Sequence, residues 1–102
     1  MKIAIAANES QVKSHVDPHF GRCEWYCLYD TETKNIEFIE NTARNQSGNS
    51  GCEAVTILLD KGVNIVVAGR FGSKVVEVFR SKNIQMIVPE NVKTIHEIIN
   101  QI

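Results

Sequence analysis

The sequence of 102 residues has no excess of charge of either sign. Eleven lysine and arginine residues against 12 aspartate and glutamate residues give a formal net charge of −1. Proteins that bind nucleic acid or an anionic membrane surface usually carry a basic excess or a basic patch. We therefore expect neither nucleic acid nor a membrane among the partners of this protein.

Long apolar runs are also absent from the sequence. The run at residues 65–68 is far shorter than the ~20 residues that span a bilayer, and the apolar part of the N-terminal MKIAIAAN is too short for a signal peptide. Apolar residues make up 43% and charged residues 23%, as in ordinary globular proteins. We expect one cytoplasmic domain over residues 1–102, with three cysteines that remain free thiols in a reducing compartment.

Familiar catalytic motifs are missing as well. The sequence contains no G-x-x-x-x-G-K-[ST] phosphate loop and no G-x-G-x-x-G, and no Ser/His/Asp order stands out. The first predicted strand, KIAIAA, carries no carboxylate that could hold a catalytic metal ion, so nuclease chemistry is not expected. These absences favour a binding protein over an enzyme.

The apolar pattern that is present predicts five strands and three helices in the order β-β-β-α-β-α-β-α. The predicted strands are residues 2–7, 22–30, 36–41, 63–69 and 84–90, and the predicted helices are residues 50–61, 72–83 and 91–102. Ser50 is the predicted N-cap and Gly62 the predicted C′ glycine of the first helix, and Val92 belongs to the apolar stripe of the last helix. The last part forms two βαβ units, whose strands are parallel. The simplest assembly is an α/β fold in three α/β/α layers, with a mixed five-stranded sheet in which strand 2 is antiparallel to the rest.

This topology brings distant loops to one edge of the sheet. The carboxyl ends of the parallel strands share that edge, and open α/β sheets bind ligands there, where the strand order reverses. Here the reversal lies between strands one and four. We expect the loops at residues 8–21 and 41–51 to face each other across one crevice, with Asn8 and Asn41 at its rim.

Two histidines and two cysteines lie close together in the sequence. His15 and His19 could bind a metal if their loop curls, or could belong to a solvated polar loop. Cys23 and Cys27 share one face of a strand but would lie roughly 13 Å apart, too far for one metal with bonds of ~2.3 Å. We therefore expect Cys27 to be a core thiol, whereas Cys23, nearer the loop, could reach the crevice.

Cys52 and two arginines complete the set of candidates. Cys52 falls in the first turn of a predicted helix, where the helix dipole favours a thiolate or a bound anion, although it could simply pack on the sheet. Arg70 follows strand four and Arg22 follows Gly21. Either arginine could neutralise a negatively charged ligand, or could be an ordinary surface residue.

Four stretches of the sequence carry a resemblance to a known family. They are MKIAIA at the start, VDPHFGRCEWYCLYD with its core His19–Arg22, SGCEAVTILLDKGVNIVVAGRFG, and IQMIVPENVKTIHEII. In order and spacing they resemble the dinitrogenase iron-molybdenum cofactor biosynthesis family of small NifX-like proteins, over nearly the whole chain. The chain departs from the family pattern at Cys23 and in the GRFGSK turn.

The resemblance implies an RNase H-like α/β/α fold and a protein that carries metallocluster precursors. Our leading hypothesis is a non-catalytic carrier of an iron–sulfur or iron–molybdenum cluster, bound transiently and passed between donor and acceptor proteins by a monomer or weak homodimer. The predicted metal ligands are His19, Cys23 and Cys52, and the predicted cofactor contacts are Asn8, His15, His19, Arg22, Asn41 and Arg70. Of these, His19 carries over from the family core, whereas Cys52 is inferred from its helix position.

Two other functions remain open at the level of the sequence. A regulatory module could bind a small anionic ligand at the same edge without any metal. An enzyme could use Cys52 as a nucleophile with a loop histidine as base, but no third orienting residue is evident.

Overall fold

Five strands and three helices follow one another in the predicted order in a computed structural model, which describes residues 1–44, 50–91 and 93–102. The strands are β1 (Lys2–Ala7), β2 (Trp25–Asp30), β3 (Ile36–Glu40), β4 (Ile65–Val67) and β5 (Gln85–Ile87). The helices are α1 (Ser50–Asp60), α2 (Ser73–Ser81) and α3 (Ile95–Gln101). No helix among the described residues is both long and apolar enough to cross a membrane.

The strands form one mixed sheet in the order β3-β2-β1-β4-β5, so β3 and β5 are its edges. β1 and β4 pair in parallel, as do β4 and β5, whereas β2 is antiparallel to both β1 and β3. The prediction that strand 2 alone runs against the others is confirmed. Adjacent β1 and β4 place the reversal of strand order where the sequence predicted it.

Each face of the sheet buries a separate apolar cluster. Ala4 and Ala6 of β1 face one cluster, which contains Leu58 of α1 and Phe79 of α2. Ile3, Ile5 and Ala7, at the alternate positions, face a second cluster that contains Ile95 and Ile98 of α3. This alternation follows from the two-residue period of a strand. Because β1 is apolar from Ile3 to Ala7, this part of the strand can be buried on both faces.

The end of α1 has the predicted glycine. Gly62 has a φ of +76°, and its N–H donates to the carbonyl of Leu59 at 3.0 Å. The N–H of Val63 donates to the carbonyl of Leu58 at 3.4 Å. These two bonds make the Schellman arrangement, in which a left-handed glycine satisfies carbonyls at the helix end. At the other end, Ser50 was predicted as the cap and is the first residue of α1.

The last helix begins later than the apolar stripe predicts. α3 starts at Ile95 rather than at residue 91, because Thr94 is its N-cap. The Thr94 hydroxyl accepts from the Glu97 N–H, and the Glu97 carboxylate accepts from the Thr94 N–H. This is a capping box, whose T-x-x-E signature is present in the sequence. Val92, predicted as part of the stripe, lies outside the described residues.

The predicted strand 2 is too long at its start, and this changes the position of Cys23. β2 begins at Trp25, so Cys23 lies before the strand and packs in the cluster with α1 and α2. Cys27 packs in the other cluster, with α3. The prediction that Cys23 and Cys27 share a face is therefore wrong, because strand alternation does not extend back to residue 23.

Candidate functional site

A short segment crosses the carboxyl edge of the sheet and divides it. We call this segment, residues 15–19, the strap. Backbone hydrogen bonds tie it to β1, to Gly69 two residues beyond β4 and to Lys93 before α3, so this segment is held at three points. These bonds are Val16 N–H to the Lys93 carbonyl at 2.8 Å, Asp17 N–H to the Ala6 carbonyl at 2.8 Å, and Gly69 N–H to the Asp17 carbonyl at 3.1 Å.

Glycine at position 69 allows the strap to come this close. A Cβ atom built on Gly69 would lie 2.5 Å from the Cα atom of Pro18, a distance that real Cβ atoms essentially never show. The chain therefore needs glycine here for close backbone approach. One residue on, His19 and Arg70 form a parallel bridge.

On one side of the strap lies a cavity of about 260 Å³, which we call the arginine pocket. It is lined by His19, Phe20, Gly21, Arg22, Arg70, Phe71, Gly72 and Val75. The structure thus brings together three of the predicted site residues, His19, Arg22 and Arg70, from loops about fifty residues apart in sequence. Among the residues that the structure describes, this lining contains no carboxylate to neutralise the arginines.

The His19 ring lies between a cation and an anion. Arg70 Nη2 is 2.5 Å from His19 Nε2, and Asp17 Oδ1 is 3.5 Å from His19 Nδ1. Because a guanidinium can only donate, Nε2 is the acceptor and the ring proton is on Nδ1, toward Asp17. The same Asp17 oxygen accepts from the His19 backbone N–H at 2.8 Å. Nε2 is therefore the ring atom that can bind a ligand once Arg70 moves away.

Asp17 is the residue of this site that sequence reasoning did not assign. Its carboxylate is 15% exposed, against 48% for the His19 ring, so it holds the ring from the protein side. A carboxylate behind the second ring nitrogen is the usual support for a histidine that binds a metal. The D-x-H spacing in the sequence was the available signal.

Phe20 anchors the turn beneath the pocket. Its ring lies 5.6 Å from that of Tyr26, 5.3 Å from that of Phe71 and 5.4 Å from that of Phe79. The side chain is buried, and the Tyr26 hydroxyl donates to the Phe20 carbonyl. Aromatic packing on this scale fixes the backbone on which His19 and Arg22 are mounted.

Asn41 was predicted at the rim of the crevice, and this position is wrong. The side chain is buried, and its Nδ2 donates to the carbonyls of Gly21 at 3.1 Å and Cys23 at 2.9 Å. Its Oδ1 accepts from the Ala43 N–H at 3.1 Å. A buried carboxamide with these partners satisfied is a brace for the turn. The reason for the difference is that β3 ends under the turn rather than beside the opening.

Cys23 and Cys27 are buried thiols. Cys23 Sγ lies 3.2 Å from the Trp25 carbonyl, and burial raises the pKa of the Cys23 thiol to about 11. Burial likewise raises the pKa of Cys27 to about 12, in keeping with the expected core thiol. Metal ligation needs the thiolate, which both environments disfavour. In the fold described here Cys23 does not reach the arginine pocket, contrary to expectation.

Cys52 is half-buried in the first turn of α1, as predicted, but it does not line the arginine pocket. Within residues 1–44, 50–91 and 93–102, no three His, Cys, Asp or Glu side chains form a group able to hold a metal ion. The predicted ligands His19, Cys23 and Cys52 are thus not gathered at one point. Residues 45–49, predicted to face the strap, lie outside the described residues.

The other two predicted contacts lie on the opposite side of the strap. Asn8 and His15 line a second cavity of about 470 Å³, together with Pro18 and Pro89. We call it the proline pocket. His15 pairs with Thr94 in a backbone bridge, whereas His19 pairs with Arg70. The hypothesis of one metal between His15 and His19 is not supported, because the two side chains line separate cavities.

Comparison with known proteins identifies the family. The model of the dinitrogenase iron-molybdenum cofactor family matches residues 1–102. The chain belongs to this family. An uncharacterised protein of Methanocaldococcus jannaschii is 34% identical over 97% of this chain and 82% of its own length.

Solved structures share the fold. The apo form of the orange protein from Desulfovibrio gigas matches with a TM-score of 0.91 at 23% identity, over 98% of this chain and 84% of that one. A Thermotoga protein of the DUF35 family, provisionally assigned to NifB, matches with a TM-score of 0.83 at 29% identity, over 97% and 84%. Family membership links the chain to the biosynthesis and binding of the iron–molybdenum cofactor, and hence to cofactor assembly proteins. The family consists of small cofactor-binding or carrier proteins and is not a catalytic one.

Proposed function

We propose that this protein binds and carries an iron–sulfur or iron–molybdenum cluster, or its precursor, during metallocofactor assembly. The observation that carries the proposal is the His19 imidazole, held by Asp17 at the mouth of a pocket lined by Arg22 and Arg70. The cluster is cargo: it is bound for transfer and undergoes no reaction on the protein.

His19 binds the metal through Nε2. In the free protein Arg70 donates to this atom, so a metal takes the place of the guanidinium. Arg70 is exposed and sits on a loop, so it can move without disturbing the core. Asp17 remains behind Nδ1, and loss of such a partner typically reduces metal affinity 10–100-fold.

The two arginines then attract the negative charge of the cluster. Clusters of iron with sulfide and thiolates are negatively charged, and a guanidinium stays charged at every relevant pH. Arg22 and Arg70 approach the pocket from separate loops and are not opposed by a carboxylate in its described lining. Electrostatic attraction therefore supplies affinity without additional metal bonds, which suits a cluster that has to leave again.

The proposal also assigns roles to the cysteines. Cys52 is less buried than Cys23 and Cys27, and it is the second protein ligand we propose. Cys23 would need the turn at residues 20–24 to open before its thiol could ligate, so we assign it a role only in such an opened form. Asn41 braces that turn, and Asn8 and His15 are left out of the cluster site.

We extend the proposal to the whole molecule. We infer three α/β/α layers of the RNase H-like type, since α1 and α2 share one apolar cluster with the sheet and α3 shares the other. We further propose one domain over residues 1–102, acting as a monomer or weak homodimer in the cytoplasm, where its free cysteines stay reduced. Its partners are the proteins that donate and accept the cluster.

Anaerobic reconstitution with iron and sulfide tests this function. We expect the wild-type protein to take up both in stoichiometric amount, with charge-transfer absorbance in the visible spectrum. His19→Ala and Cys52→Ser should each lose most of this absorbance, because each removes a metal ligand. The measurement is iron and acid-labile sulfide content together with the ultraviolet–visible spectrum.

His96→Ala is the matched control for the loss of a histidine. His96 is exposed on α3 and does not line the arginine pocket, so this variant should bind cluster like the wild type. A wild-type protein that stays colourless and metal-free would refute cluster binding. Equal uptake by wild type and His19→Ala would refute the role of this pocket.

The alternative of an anion-binding regulatory module uses the same pocket without metal. The observation in its favour is that Arg22 and Arg70 line a pocket whose described residues include no carboxylate. Phosphate binding that survives loss of His19 and the cysteines but disappears in Arg70→Ala, in a protein that also refuses cluster, would establish this alternative.

A further inference from the structure

The proline pocket is a second cavity at the carboxyl edge, and it is not used by the proposed cluster site. Its lining comes from the loops that follow all three strands of the parallel part of the sheet, β1, β4 and β5. Of the residues that the structure describes, none lines both this pocket and the arginine pocket. With about 470 Å³ it falls in the range of small-molecule sites, and it lies where open α/β sheets bind ligands.

The walls of the proline pocket are formed before any ligand arrives. The strap forms one wall and is pinned by backbone hydrogen bonds to Lys93 and Ala6. Gly69, which packs against Pro18, continues that wall. Preformed walls reduce the ordering cost of binding, so even a ligand with few contacts can be held.

The apolar part of the lining contains two prolines and a glycine. It consists of Val16, Pro18, Gly69 and Pro89. Proline rings and a glycine backbone offer surfaces for a planar group, and none of them loses rotamer freedom on contact. A planar ring system is therefore a better match than a flexible aliphatic chain.

The polar part of the lining contains three kinds of group. Asn8 and Asn91 present carboxamides, which both donate and accept hydrogen bonds, as the edge of a nitrogen heterocycle requires. His15 and Lys93 present basic groups suited to a phosphate. Glu90 presents a carboxylate, the group that accepts hydrogen bonds from ribose hydroxyls in dinucleotide sites of α/β folds.

We propose that the proline pocket binds a nucleoside monophosphate. The base packs on the prolines with its edge toward the carboxamides, the ribose lies near Glu90, and the phosphate is held by His15 and Lys93. This combination of a rigid apolar surface, amide groups, one carboxylate and two basic groups is the recognition chemistry that such a ligand needs. The site is separate from His19 and its function does not depend on the cluster.

Titration of the isotope-labelled protein with AMP, GMP and adenosine tests the proposal. Amide and carboxamide NMR signals report the location, and isothermal calorimetry reports the affinity. We expect AMP or GMP to shift the signals of Asn8, Val16 and Asn91 while leaving Gly21 unchanged. Adenosine, which lacks the phosphate, should bind at least about tenfold more weakly.

Charge variants establish the role of the basic groups. Lys93→Met and His15→Ala should each weaken AMP binding about tenfold, whereas Lys74→Met, an exposed lysine on α2, should leave it unchanged. His19→Ala should also bind AMP normally, which distinguishes this site from the cluster site. Absence of shifts with either nucleotide at about 5 mM, shifts confined to the arginine pocket, or equal binding of adenosine and AMP would each overturn the proposal.

Discussion

At the scale of single residues, glycines 69 and 72 show how the same residue type serves different purposes in one loop. A Cβ atom on Gly69 would collide with the backbone of Pro18, whereas one on Gly72 would meet nothing within 4 Å. Gly69 thus fixes how closely the strap approaches the end of β4. Gly72 is the N-cap of α2 with an extended backbone that other residues also adopt.

Gly69→Ala should therefore be clearly destabilising. We expect a loss of ~1–3 kcal/mol in the free energy of unfolding, because the neighbouring atom is backbone and cannot turn away. Urea denaturation measures this loss. Gly72→Ala is the matched control, and we expect it to cost only ~0.5 kcal/mol for a poorer cap. Equal losses in the two variants would mean that the contact with Pro18 is unimportant.

The sequence predicted the site at this scale only where topology alone decides position. His19, Arg22 and Arg70 lie on the loops that follow the parallel strands β1 and β4 at one edge of the sheet, and they do come together. The predicted positions of Cys23 and Asn41 were wrong. The burial of these residues depends on where β2 starts and β3 ends, and on the need to satisfy buried carbonyls in the turn. The ends of these strands depend on tertiary packing, which cannot be predicted from a local sequence pattern.

At the scale of elements, α3 and the strap depend on each other. The N–H groups of Ile95 and His96, at the start of α3, donate to the carbonyls of Ser14 and Val12. Helix starts leave such N–H groups without partners inside the helix, so the loop before the strap supplies what the helix lacks. The capping box of Thr94 and Glu97 holds the same helix start from the other side.

Thr94→Ala should loosen both elements together. We expect a loss of ~1 kcal/mol, the usual cost of removing a threonine cap, which corresponds to roughly 4–8 °C in the thermal midpoint for a domain of this size. Calorimetry measures the midpoint, and amide exchange should become faster at Val16 and Asp17. Thr56→Ala, at an exposed position inside α1, should leave both unchanged. Faster exchange confined to α3 would contradict the coupling.

Element order, strand direction and the glycine stop of α1 could all be predicted, since each follows from a period or a local signature. The start of α3 could also have been predicted from T-I-H-E. The apolar stripe extends back beyond Thr94, so the stripe alone predicts a helix that starts too early, at residue 91. The path of residues 8–21 could not be predicted, because it is fixed by hydrogen bonds to three distant segments.

At the scale of the whole molecule, two apolar clusters on opposite faces of one sheet carry buried ionisable groups. Cys23 and Tyr26 belong to the cluster with α1 and α2, and Cys27 belongs to the cluster with α3. Burial raises the pKa of all three groups above their ordinary values. The folded protein therefore keeps them neutral at a pH where an unfolded chain ionises.

The free energy of unfolding should consequently decrease as the pH rises above 9. An unfolded thiol loses its proton near its usual pKa of 9.0, whereas folded Cys23 keeps it up to about 11 and Cys27 up to about 12. Above pH 9 the unfolded state binds fewer protons, so the free energy of unfolding decreases by about 1.4 kcal/mol per pH unit for each thiol. Urea denaturation under reducing conditions from pH 7 to 11 measures this. Cys27→Ala should show a shallower slope, and a flat profile would contradict the burial of the thiols.

The edge strand β3 has a consequence for how copies of the protein behave in crowded solution. β3 is an edge strand of the described sheet and Ile36 at its start is 42% exposed, and both features favour the addition of another strand. Glu37 and Glu40 are exposed on the same short strand. Pairing two such edges would bring four carboxylates into one strand pair, and charged side chains on an edge strand oppose such pairing. The acidic edge thus disfavours the growth of fibres, so the protein can be concentrated without its sheets pairing edge to edge.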